Sequence, residues 1–136
     1  MRLIFLCFLL FTGLIIVFYF SWIPQPDLSK LWFIPGWMGR WTNAHDTLRT
    51  AIPFIFLGLL SGSWLSTTKR PWTWWLATLL VFILVVIIAE TGQLFLPHRV
   101  FDWRDIAWGS FGALTGLLTA ILFSICFGQI KRQIHK

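Results

Sequence analysis

The chain begins with an apolar run of 18 residues, Leu3 to Phe20, that no charge interrupts. As a helix such a run is about 27 Å long, close to the hydrocarbon thickness of a bilayer. Three more apolar stretches follow. A helix satisfies its own backbone hydrogen bonds within lipid, and runs of this length are enough to span. The pattern therefore predicts an all-α membrane protein, a four-helix transmembrane bundle with helices over about 3–20, 43–66, 72–92 and 103–127. Composition agrees. Of 136 residues 57% are hydrophobic and 12% charged, too few charges to clothe a soluble domain. Ten Trp suit the membrane–water interface.

Arg2 precedes the first run, and Ser21, Trp22, Ile23 and Pro24 follow it without a small-residue cleavage site, so that helix is expected to be retained. Residues 21–50 carry Pro24, Pro26, Pro35 and Gly36 with Trp22, Trp32, Trp37 and Trp41. This loop is too polar to span and too aromatic to leave the membrane, which predicts an interfacial position, partly as a short amphipathic piece. Asn43, with Asp46 three residues on, is the expected N-cap of the second helix, and Pro53 the expected kink. Thr67–Pro71 forms a basic turn, with Pro71 suited to a helix start. Asp102 and Asp105 open the fourth helix, and a basic tail closes the chain. Cys7 and Cys126 lie inside apolar runs as small hydrophobes.

Four spans place both termini and the 67–71 turn on one side. That side carries Arg2, Lys69, Arg70, Lys131, Arg132 and Lys136. The other carries Lys30, Arg40, Arg49, Arg99 and Arg104 with all five acids: Asp27, Asp46, Glu90, Asp102 and Asp105. Five of the six basic residues on the first side sit in a short turn or the tail, where charge most strongly sets orientation. The expectation is cytoplasmic N and C termini in the cytoplasmic (inner) membrane, with the acids facing outward. The same distribution accounts for the net charge of +6 without a nucleic-acid partner.

Glu90 is the most informative residue. It lies about 27 Å along a helix starting at Trp72, near the edge of the hydrocarbon, where an acid is costly and usually faces protein or a wet cavity. Gln93 is one turn on, and Arg99 returns with the loop. Asp102, Asp105, Asp46 and Arg49 open their helices at the same level. These seven residues are the candidate ligand-binding cluster. Simpler roles stand beside it: Asp102 and Asp105 as cap and dipole partner, Arg99 and Arg104 snorkelling, Asp46–Arg49 as a surface pair, His98 as a solvated loop residue. No metal-ligand spacing, catalytic triad order or phosphate-cradling loop is present, and no cofactor or metal is expected. Gly58-x-x-x-Gly62 and Gly112-x-x-x-Gly116, extended by Gly109 and Ala120, are small-residue faces that predict contact between the second and fourth helices.

The run from Glu90-x-x-Gln93 through Arg99, Asp102-x-x-Asp105, Gly109, Gly112 and Gly116 resembles the VanZ-like family of small bacterial membrane proteins. Asp46-Thr-Leu-Arg49-Thr50, followed by Leu57-Gly58, looks like the family's second-helix element. The chain departs from the family at Gly109, where Asn is common, and at Thr50, where His or Asn is common. The family takes its name from a member associated with resistance to teicoplanin, a lipid-tailed glycopeptide. The resemblance implies a role at the outer membrane face, near envelope lipids or amphiphiles. Three readings remain: recognition of a lipid-linked or amphiphilic molecule; an intramembrane enzyme with Glu90 or Asp105 as general base; and an accessory subunit that docks a larger membrane partner or its own copy through the glycine faces and Trp-rich loop.

Overall fold

The computed structural model describes residues 2–24, 27–97 and 99–134, the side chains of Arg2, Asp46 and residues 127–134 excepted. The described residues are helical and contain no strand. In chain order the helices are α1 (Arg2–Ser21), α2 (Gly36–Ala44), α3 (Asp46–Thr67), α4 (Trp72–Gln93) and α5 (Trp103–Ile134), with a 3-10 turn at Leu28–Lys30 between α1 and α2. α1, α3, α4 and α5 are each long and apolar enough to cross a membrane. α5 runs beyond the expected end at 127, because nothing in Gly128–Ile134 breaks a helix.

α3 and α5 form the centre of the bundle and share its most extensive contact. In lipid, apolar side chains gain little by leaving their surroundings, so helices join where backbones can come close. Glycines allow that here. A Cβ on Gly112 would fall on the Ala51 carbonyl oxygen, and one on Gly116 on that of Ile55. A Cβ on Gly58 would stand 2.5 Å from the Ala113 carbonyl oxygen, and one on Gly62 2.6 Å from the Ala120 methyl. The expected pairing of these two helices is the spine of the fold. Gly109 faces α4 as well: its Cβ would meet both methyls of Val86 and the Thr50 methyl. Phe54, Leu57, Phe82, Val86 and Ala113 form the buried core, and Leu10, Leu14 and Val17 of α1 lean on it.

The 21–50 segment is more ordered than a loop, and Asn43 does not cap α3. It lies in α2, where its amide donates to Asp27 Oδ1 (2.5 Å) and accepts the Leu28 N–H (3.2 Å). Ser29 donates to the same carboxylate oxygen from both its N–H and its hydroxyl. The hydroxyl bond holds the Asp27 carboxyl below its ordinary pKa. This clasp folds the 3-10 turn onto α2, with Gly39 against the Ser29 backbone. The chain leaves helical geometry at His45, whose ring stacks on Trp41, and α3 starts at Asp46. Trp32, 94% exposed, and Trp37 stand clear of the bundle.

At the opposite end, the 68–71 turn closes α3. Lys69 takes a left-handed conformation (φ 50°), with Lys69 N–H bonded to Ser66 O and Arg70 N–H to Leu65 O. That pattern usually uses glycine, and a side chain there costs about 1–2 kcal/mol. Arg70 lies over the rings of Trp64 (5.4 Å) and Trp74 (5.0 Å), a cation–π clamp across α3 and α4. Pro71 then caps α4, matching its expected place.

Candidate functional site

At the other end of the bundle, the end of α1, the start of α3, the end of α4, the 94–102 loop and the start of α5 enclose a cavity of about 80 Å³. One part of its lining is polar: Ser21, Arg49, Thr50, Glu90, Gln93, Arg99 and Asp105. The rest is apolar, with Ile16, Val17 and Phe20 on α1 facing Phe54 and Val86. Five of the seven sequence-derived candidates therefore share one cavity.

Glu90 is 3% exposed, yet both its oxygens are satisfied. Oε1 accepts the Asp102 backbone N–H (2.7 Å) and Oε2 accepts from Gln93 Nε2 (2.9 Å). The donors are neutral amides, one of them beside the N-terminus of α5, where the helix dipole favours a negative group. A buried carboxylate needs such partners, and the i,i+3 spacing of Glu90 and Gln93 supplies one without any tertiary contact. Gln93 Nε2 also donates to Ser21 Oγ (3.1 Å), and Ser21 Oγ donates to the Ala89 carbonyl (3.2 Å). The Trp22 indole N–H donates to that same carbonyl (3.1 Å). Its ring covers Gly92 so closely that any Cβ there would overlap the indole.

Arg99 does more than snorkel. Its Nε donates to Ile23 O (3.1 Å) and its Nη2 to Phe20 O (3.2 Å), so the guanidinium fork takes up carbonyls at the C-terminal end of α1. Burial lowers its pKa, the charge of Arg49 pushes the same way, and Glu90 and Asp105 oppose both. A guanidinium remains cationic under such shifts.

Asp102 caps α5 as expected, its Oδ1 accepting the Arg104 N–H (2.8 Å), and also gives its own N–H to Glu90. Its exposed side chain is outside the cavity lining. Asp105 lines the cavity from the first turn of α5. The Asp46 side chain and His98 lie outside the described residues. Gly58, Gly62, Gly112 and Gly116 are used in helix packing away from the cavity, and Thr50 and Gly109 are direct neighbours.

Sequence reasoning passed over Ser21 and Trp22. They follow an apolar run and read as ordinary interface residues, and their partners are 67–72 residues away. The only signal was position: a hydroxyl and an indole N–H at the same depth as Glu90 and Gln93.

A family model described as VanZ/LLP1 matches residues 3–124. No curated protein and no solved structure matches the chain.

Proposed function

This chain belongs to the VanZ/LLP1 family, and we propose that it binds a lipid-linked or amphiphilic molecule of the cell envelope in the cavity between α1, α3 and α4. One observation carries this reading. The cavity wall is divided between charged and amide side chains and the apolar residues of α1, α3 and α4. That division fits a molecule with a polar head and a hydrocarbon tail. Arg49 and Arg99 supply cationic donors, while Ile16, Val17 and Phe20 offer the chain a path toward lipid.

We place the protein in the cytoplasmic membrane with both termini cytoplasmic, so that the cavity opens to the outer leaflet. The basic 67–71 turn and tail support this orientation. The enzymatic alternative gains little from the geometry of Glu90, whose two oxygens are each engaged by an internal amide that holds the carboxylate in the wall. The accessory-subunit alternative loses its glycine faces, because Gly58, Gly62, Gly112 and Gly116 are covered within the chain.

Native mass spectrometry of protein extracted in mild detergent tests the proposal. Wild type should retain an amphiphile that Val17→Phe, which narrows the apolar wall, releases. Wild type carrying no amphiphile, or a variant carrying the same one, sinks the reading. A reporter fused after Lys136 should report cytoplasm.

A further inference from the structure

The charged groups of the cavity are not equivalent. Glu90 has an amide hydrogen bond to each oxygen and is buried, so it functions as an internal acceptor. Asp105 sits in the first turn of α5, where the helix dipole offsets part of its charge. Arg99 is different. Its Nε and Nη2 hold α1 carbonyls, and neither of these bonds uses its Nη1. A second guanidinium, Arg49, lines the same cavity and is close enough to depress the Arg99 pKa.

Glu90 and Asp105 offset part of this paired positive charge, and an anion shared by the two guanidiniums can engage both at once. Its shape matters as well as its charge. A carboxylate offers two coplanar oxygens, which one guanidinium fork can occupy fully. A terminal phosphoryl group offers three oxygens pointing to different sides, which two guanidiniums can engage together.

Resting on the amphiphile reading above, we infer that the head of the bound molecule is a phosphate monoester or terminal phosphoryl group, held between Arg99 and Arg49. Binding also couples to α1, because the guanidinium that meets the phosphate holds Phe20 O and Ile23 O through its other nitrogens. A headgroup that orders Arg99 therefore tightens the end of α1, the helix that provides the apolar wall for the tail.

The test is binding of lysophosphatidate and of monoacylglycerol with the same acyl chain to purified protein in a neutral detergent, with glycerol phosphate as a soluble competitor. Lysophosphatidate should bind about tenfold or more tightly than monoacylglycerol, the scale of a charge-assisted hydrogen bond. Arg99→Gln should remove most of that ratio. Because it also frees the end of α1, Arg49→Gln is the second variant, and it should reduce the ratio while leaving the α1 anchor in place. Arg99→Lys, a point charge without the fork, should fall between wild type and Arg99→Gln. Glycerol phosphate competing as well as lysophosphatidate supports the phosphate site and assigns it to soluble phosphoesters. Equal binding of the two amphiphiles overturns the phosphate inference and leaves the amphiphile reading intact. So does a ratio unchanged in both glutamine variants. Binding of neither amphiphile overturns both.

Discussion

The seam between α3 and α5 and the attachment of α1 hold helices together by different physics. Along the seam, Gly58, Gly112 and Gly116 let backbone meet backbone and Gly62 admits the Ala120 methyl, and stability comes from many weak contacts that need no particular donor. α1 has little of this. Only 6% of its spanning window is buried, against 39% and 33% for α3 and α5. It is tied instead at its C-terminal end, by Ser21, Trp22 and the Arg99 fork. A seam made of shape fails as a whole when one atom is added. A tether made of a few hydrogen bonds can be released one bond at a time. The difference teaches where this bundle is free to move: at the wall of the cavity, with the spine fixed.

Substitutions can break that contrast in order of severity. Gly116→Leu should have the largest effect, because its Cβ meets the Ile55 carbonyl, the Leu59 N–H and the Gly58 Cα, none of which can yield cheaply. The loss should reach or exceed the roughly 1–3 kcal/mol of ordinary overpacking, seen as aggregation on size exclusion in detergent. Glu90→Gln comes next. Its new NH2 must face a donor, either the Asp102 N–H or Gln93 Nε2, leaving a buried donor unpaired at a cost of about 1–3 kcal/mol in thermal unfolding. Trp22→Phe keeps a ring over Gly92 and removes only the bond to Ala89 O, worth about 1 kcal/mol. Amide exchange should quicken across 16–24 and stay unchanged in α3 and α5. Equal acceleration in both regions would show that seam and tether are one cooperative unit. The smallest effect belongs to the Asp27 clasp. Its lowered carboxyl pKa means the clasp is fully formed above the ordinary carboxylate value and opens as pH falls through the lowered one. The Ser29 amide resonance should report that transition without any change in the helical spans.

Much of the spine could be read from the sequence. Uninterrupted apolar runs mark four helices, and Gly58/Gly62 and Gly112/Gly116 mark the faces that meet, because both signals repeat within one or two turns. Asp102 as the cap of α5 is equally local. The tether was hidden. Arg99 and its acceptors are 76 and 79 residues apart, and those acceptors are backbone carbonyls, which every residue has. The separate α2 was hidden for a related reason: Asn43 suits a cap and also a clasp, and only Asp27, folded back across 16 residues, decides between them.

The Arg70 clamp has a consequence for sidedness. α4 has 22 residues, about 33 Å of helix, with the Arg70–Trp64–Trp74 stack at one end and Glu90 and Gln93 at the other. That length matches one hydrocarbon thickness. With the clamp seated at one headgroup layer, the cavity would be level with the opposite layer, and an amphiphile bound as proposed would be drawn from that leaflet. The asymmetry of the bilayer would then act as a selectivity filter in its own right. On that reading, a compound abundant in the wrong monolayer would be invisible to the protein until something flipped it across.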